Sequence, residues 1–326
     1  EIIPEADIVV TATGNMGVVT HDMVLRMKDH AILCNIGHFD TEIETKALRE
    51  YEWTNVKPQV DLVHLPNGRV VILRASGADD LQERLYRDIG GTASVQTLVF
   101  DSRRAADDPA VLRVVAAADA IFIAGGDQSR YIRFWKGTAL NAALNAHVRA
   151  GRPIAGTSAG LAILGGYSYG ALDGGSVTSE RALRDPMGSA VTLDNDFLTL
   201  PYLSNVVTDT HFGKRDRLGR LIVFVARAAQ EAGRDDMVGI GVDEDTALCV
   251  EADGRGRVLS KDDGYAWLVM PRHTAERLRE GEPLDFHAIA VTGVGSGSLL
   301  HLDGFGVDDA AFRVTADIRD GHLQLR

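Results

Sequence analysis

The feature that most limits how this chain can fold is its alternation of short, unbroken apolar runs with stretches of helical periodicity. The runs Ile8–Ala12, Ala31–Ile36, Val70–Ala75, Val95–Phe100, Ala120–Ala124, Pro153–Gly156, Val206–Thr208 and Gly239–Asp243 have strand length and end in glycine or polar turns. Unbroken rather than alternating apolar character suggests strands covered on both faces. Leu81–Ile89, Pro109–Ala117 and Thr138–Ala150 read as helices between them. Strand–helix alternation predicts a mostly parallel sheet flanked by helices, an α/β fold. After about Thr246 the runs shorten and turn signals (ADGRGR, KDDG, GSGS, LDGFG) crowd in, so an antiparallel β extension is expected at the carboxyl end.

The 326 residues suffice for one large domain or two small ones, and 45% of them are hydrophobic. A formal charge of -12 argues against a nucleic-acid partner, whose binding proteins are normally basic. No apolar run reaches the 18 residues that a membrane span needs. Cys34 and Cys249 lie in apolar runs and are expected to be buried thiols in a reducing compartment, which points to a cytoplasmic protein. No HExxH or paired CxxC spacing suggests a metal.

The sharpest local signal is Gly156-Thr157-Ser158-Ala159-Gly160, set between the strand-like GRPIAG and the apolar LAIL. That is the G-x-S-x-G nucleophile elbow in its strand–turn–helix context, which holds a serine Oγ clear of the sheet. Such a pentapeptide also arises by chance in a chain rich in glycine and alanine. A serine needs a base to take its proton. Of ten histidines, His211 follows a strand-like run (SNVVTD), as Ser158 does. Its segment, THFGKRDRLGRL, reads equally well as a solvated charged loop opening a helix. Glu244 sits just past the apolar GIGV, where an acidic turn is the competing reading. The order serine, histidine, acid is no obstacle, since a triad is a geometry and not a sequence order. Ala124-Gly125-Gly126-Asp127-Gln128 ends another strand. Amides near Gly126 and Ala159 are candidates for an oxyanion hole. No GxxxxGK[ST] is present, which weakens a phosphate-loop reading of the two glycines.

Taken together, RVVILRASGADD, FIAGGDQSRYIRFWKGT, IAGTSAGLAIL, TDTHFGKRDRLGRL and GIGVDEDTAL resemble the cyanophycinase and dipeptidase E family of serine peptidases, over roughly residues 69–326. The resemblance implies a flavodoxin-like sheet, Ser158 as nucleophile, His211 as general base and Glu244 as the acid that orients the imidazole. It places Gln128, Asp209, Arg215, Arg217 and Arg220 at positions lining the substrate pocket. Arg217 and Arg220 would then clamp substrate carboxylates bidentately. The implied substrate is a peptide containing aspartate and arginine, joined through β-aspartyl linkages as in cyanophycin. No cofactor is required by this chemistry, and a homodimer stays open. Related glutamine amidotransferases carry cysteine in this elbow, so serine favours peptide hydrolysis.

The amino end does not fit that family. DIVVTATGNMGVV, MKDHAILCNIGHFDTEIE and WTNVKPQVDLVHLPNGR resemble the NAD-binding domain of S-adenosylhomocysteine hydrolase, over about residues 1–70. The resemblance makes Thr11, Thr13, Asn15, Ile36, Gly37 and His38 vestigial cofactor contacts in a partial Rossmann half. No GxGxxG follows a strand there, so the pyrophosphate cradle is missing and NAD enters only if this fragment works. Residues 1–70 and 71–326 are thus expected to be two domains. The alternatives to a peptidase are an NAD-binding fragment or a chimera without function as a unit. One structural expectation follows: Ala31–Gly37 and the helical-looking Thr41–Tyr51 fill the slot of the peptidase's missing first strand and helix, beside Val70–Ala75.

Overall fold

The computed structural model describes residues 2–3, 6–27, 31–36, 41–49, 51–64, 68–77, 81–90 and 92–326. The chain divides into two units. The first takes Glu1–Ile72, Ala78–Leu98 and Ala117–Ile121; the second takes Leu73–Gly77, Val99–Ala116 and Phe122–Arg326.

In the first unit β1 (Ile8–Thr11) runs parallel to β2 (Ile32–Asn35), with Ile8 opposite Ile32. Between them lies a short helix α1 (His21–Leu25), capped by the Thr20 side chain, which accepts from the Met23 amide. Val19, Val24, Ile43 and Leu48 make a small core. A hairpin, β3 (Glu52–Lys57) and β4 (Val60–His64), follows. The expectation of strands covered on both faces fails here: Ile8, Val10 and Ile32 are each more than half exposed. The slot hypothesis fails as well. β2 pairs with β1 in a two-stranded sheet and not beside Val70–Ala75, and the described residues of 41–51 supply one tight 3-10 turn, Thr45–Leu48.

The next strands are β5 (Arg69–Arg74), β6 (Ser94–Val99), β7 (Ala120–Ile123) and β8 (Ile154–Gly156), in a sheet of order β6-β5-β7-β8. Helix α2 spans Pro109–Ala117, opening on a proline where the missing N–H costs nothing. After β7 come α3 (Gln128–Trp135), capped by Asp127, and α4 (Ala139–Arg149), capped by Thr138. The elbow helix α5 is only Ala159–Ala162. The expected helix at Leu81–Ile89 is wound wide over Arg84–Ile89, with the Gly90 amide donating to Leu85 O five residues back.

An eight-stranded sheet completes the second unit. It contains β9 (Tyr167–Tyr169), β10 (Leu193–Asn195), β11 (Val206–Asp209) and β12 (Val238–Val242), with α6 (Ser179–Arg184) and α7 (Leu218–Ala232). β11 lies parallel to both β9 and β12. Both β11 and β12 are buried along their whole length, as their unbroken apolar runs required. The sheet continues antiparallel through β15 (Ala266–Met270), β16 (Phe286–Val294), β19 (Phe312–Arg319) and β20 (His322–Leu325). A separate antiparallel sheet joins β13 (Thr246–Val250), β14 (Arg255–Ser260), β17 (Leu299–His301) and β18 (Gly306–Asp308). This is the antiparallel extension expected past Thr246. Tyr169, Leu221, Phe224, Phe286 and Ile318 belong to the largest core cluster, into which α7 buries most of its length.

Candidate active site

Ser158, His211 and Glu244 each stand two residues past the end of a strand: β8 ends at Gly156, β11 at Asp209 and β12 at Val242. The parallel register of β11 and β12 brings the last two to one rim, with Asp209 opposite Gly241. Open α/β sheets place their ligand sites at this carboxyl edge.

The elbow is held from below. The Thr157 amide donates to Ile123 O at 3.0 Å, tying the turn to β7, and Ser158 O accepts from the amides of Leu161 and Ala162. Ser158 itself adopts φ 51° and ψ −119°, a conformation that costs a non-glycine residue energy and lifts its side chain off the sheet. Gly160 lets α5 sit this close: a Cβ there would run into the carbonyl oxygen of Ile123. Thr208 Oγ1 donates to Leu161 O at 3.0 Å, fastening the helix to β11.

The Ser158 hydroxyl lies 2.9 Å from His211 Nε2, and His211 Nδ1 lies 2.6 Å from Glu244 Oε1. An ionised carboxylate only accepts, so Nδ1 carries the proton and Nε2 is free to accept from the hydroxyl. Burial lowers the His211 pKa, and the nearby Arg215 and Arg217 push the same way; the hydrogen bond to Glu244 opposes them. Glu244 is held below the usual carboxylate range by Lys214 first and His211 second. The three side chains predicted from sequence therefore converge.

The loops that carry them are locked together by Asp243. Its carboxylate accepts from the Gly213 amide at 2.8 Å, the Tyr265 amide at 2.9 Å and Trp267 Nε1 at 3.0 Å. The Phe212 amide donates to Val242 O. Sequence reading passed over Asp243, which looked like one more acid in an acidic turn. Around these three side chains opens a cleft of about 560 Å³, whose lining includes Leu161, Val242, Asp245, Ala247 and Leu259.

The predicted oxyanion donors belong to two segments that meet at Ser158, since a Cβ on Gly125 would come within 3.1 Å of the serine's own Cβ. Ala159 opens α5, where a first-turn amide has no intrahelical acceptor. Gly126 has φ 137°, and the next amide, of Asp127, is pinned by donating to Ser76 Oγ at 2.9 Å. Gln128 Nε2 donates to Tyr169 O at 2.5 Å.

The expected arginine clamp is corrected. Arg220 and Asp209 are both 2% exposed and face each other: Nε donates to Asp209 Oδ2 at 2.7 Å and Nη2 to Oδ1 at 2.5 Å. Arg220 Nη1 also reaches Ser176 Oγ and Val177 O. Arg217 donates to Thr210 O at 2.7 Å and pairs with Asp209 at 3.3 Å, and burial lowers its pKa to about 10. Internal acceptors occupy both guanidinium groups, since a buried cation needs its partners. Arg215 alone of the three is exposed.

The cysteine expectation is corrected too: Cys249 is exposed and Cys34 half-buried. Among the described residues no group of histidine, cysteine, aspartate and glutamate is placed to hold a metal. Among the same residues no helix is long and apolar enough to cross a membrane.

Of the cofactor residues proposed for the first unit, Thr11 and Ile36 lie at the ends of β1 and β2, with Thr13 and Asn15 in the loop after β1. Thr11 Oγ1 donates to Asn35 Oδ1, the Ile36 amide donates to Thr11 O, and the Asn15 amide donates to Thr13 Oγ1. Gly37 and His38 lie outside the described residues. The buried carboxylate of Glu42 accepts from the amides of Thr13 and Gly14 at 3.0 and 2.9 Å. A negative charge already occupies the Thr13 and Gly14 amides, so these two donors do not fit a phosphate.

Residues 82–255, more than half of the chain, match the family described as Peptidase family S51. The chain belongs to peptidase family S51. The match contains every residue of the site just described except Ser76 and Leu259–Trp267. Residues 1–79 match the S-adenosyl-L-homocysteine hydrolase, NAD binding domain, so the two likenesses meet near residue 80, about ten residues later than the sequence motifs suggested. Two solved structures are similar to this S51 peptidase. A peptidase from an acI-B1 Actinobacterium has 18% identity and a TM-score of 0.44, covering 71% of this chain and 83% of its own. A candidate peptidase E of Listeria monocytogenes EGD-e has 16% identity and a TM-score of 0.33, covering 67% and 92%.

Proposed function

We propose that this S51 peptidase is a serine exopeptidase that cleaves β-aspartyl peptides through an acyl-enzyme. One observation carries the reading: the unbroken relay from Ser158 Oγ through His211 to Glu244, at 2.9 and 2.6 Å. In the first step Ser158 Oγ bonds to the scissile carbonyl carbon while its proton passes to His211 Nε2. The amides of Gly126 and Ala159 take the negative charge that develops on the carbonyl oxygen. His211 returns the proton to the leaving nitrogen as the C–N bond breaks. Water then attacks the ester, delivers a proton to His211, and frees the carboxylic acid and the serine hydroxyl.

The charges around the cleft support an aspartyl substrate with a basic side chain. Arg215, exposed one turn beyond His211, faces a substrate carboxylate. Asp245, in the cleft wall, suits the guanidinium of an arginine on the other side. With Arg217 and Arg220 committed to Asp209, carboxylate recognition falls to Arg215, and the buried pair shapes the loop that presents it.

The test is incubation with cyanophycin and mass spectrometry of the products. Wild-type protein should release β-aspartyl-arginine by cutting the polyaspartate main chain, with the β-linkage to each arginine intact in the product. Ser158→Ala should lose at least a thousandfold in rate while keeping its melting temperature. Because the base works only when neutral, its lowered pKa carries activity down to pH values below 6.5, histidine's ordinary pKa. Unchanged turnover in Ser158→Ala would remove the serine from the mechanism.

A further inference from the structure

Glu244 has two carboxylate oxygens, and only one serves His211. The other, Oε2, lies 2.5 Å from the ammonium of Lys214. Lys214 is three residues past His211, on the loop that the Asp243 carboxylate holds at Gly213. The carboxylate is thus gripped from both ends by groups of the same short segment: an imidazole on Oε1 and an ammonium on Oε2. We propose that Lys214 is a positioning residue of the proton relay, acting through Glu244. This rests on the reading of Ser158, His211 and Glu244 as the catalytic triad.

Two consequences follow from the geometry. A carboxylate held at one oxygen can rotate about its last bond, whereas one held at both cannot, so Oε1 stays in line with Nδ1. The ammonium also offsets part of the carboxylate's charge. With that offset, Glu244 orients the imidazole while stabilising the imidazolium less than an unpaired carboxylate would. Lys214 therefore acts on the pH range of the reaction as well as on its rate.

Other charges facing this pair stay in place when Lys214 is changed. Arg215 and Arg217 lower the His211 pKa from the same loop and the start of α7, while Asp245 acts on Lys214. Asp243 is occupied by the Gly213, Tyr265 and Trp267 N–H groups, and Asp209 by Arg217 and Arg220. The Lys214 side chain is 72% exposed, so its removal leaves no cavity and should not disturb folding.

The experiment compares wild type, Lys214→Met and Lys214→Arg in the full chain, with two readouts. The first is the rate at which a fluorophosphonate labels Ser158, measured across pH; it needs no assumption about the peptide. The second is the NMR titration of the His211 ring. Lys214→Met should label about twofold to fivefold more slowly at its best pH, as befits the loss of one exposed ion pair. Its acid limb and its His211 titration should both move to higher pH, because the ammonium that offset the Glu244 charge is gone. The shift should shrink at high salt. Lys214→Arg should restore the profile. Identical profiles and His211 titrations in wild type and Lys214→Met would overturn the inference, as would Lys214→Arg behaving like Lys214→Met. Failure of wild-type protein to label at Ser158 would instead overturn the serine-peptidase reading on which it rests.

Discussion

At the scale of single residues, the site is held by charges committed to internal partners. Arg220 spends its fork on Asp209, Asp243 spends both oxygens on N–H donors, and Glu244 divides its own between His211 and Lys214. Asp209 is the most exposed to mutation, because two guanidinium groups depend on it inside the protein. Asp209→Asn keeps the shape and removes the charge. It should cost about 3–5 kcal/mol of stability, read as a lower urea midpoint, because it strands buried cations. A change within about 0.5 kcal/mol would mean that Ser176, Val177 and Thr210 satisfy the arginines without it. Ser158, His211 and Glu244 were legible from sequence because each follows an apolar strand run directly. The fate of the arginines was not. A run of basic residues looks the same whether it faces a substrate or a buried aspartate, and only the burial of α7's first turn decides which.

At the scale of elements, strands and caps were the readable part. β7, β8, β11 and β12 lie within one residue at each end of their predicted runs, and Pro109–Ala117 is a helix as read. The β3–β4 hairpin was missed because its strands alternate Trp53, Val56, Val60 and Leu62 with polar residues and bury little. Cys249 was misplaced because β13 lies at an edge of its sheet, where an apolar run is largely open to water. The element that the chemistry needs most is α5, four residues long and seated on β7 through Gly160. Gly160→Ala should displace it, because the new methyl meets the carbonyls of Ile123 and Ala124. The expected result is a loss of about 1–3 kcal/mol in stability and of fluorophosphonate labelling at Ser158. Gly175→Ala, with open space around it and no unusual φ, is the matched control and should change neither.

At the scale of the whole molecule, everything attributed to catalysis lies in the second unit: Ser76, Gly126, Ser158, His211, Lys214, Asp243 and Glu244 all fall within it. A chain beginning at Gly68 should therefore keep its fluorophosphonate reactivity at Ser158. Loss of labelling in a truncated protein that still melts cooperatively would show that residues 1–67 contribute to the reactive serine's environment. The boundary itself was only partly legible, since an apolar run after glycine serves either family equally well at NGRVVIL. The parallel pair β1 and β2 has a consequence for handling the protein. Ile8, Val10 and Ile32 sit more than half exposed on a two-stranded ribbon whose edges pair with no further strand among the described residues. Such a ribbon is a template for strands of neighbouring chains. The net charge of -12 keeps those chains apart at low ionic strength. Concentrated, salty storage buffers should therefore encourage clumping that begins at the amino end and leaves the serine intact.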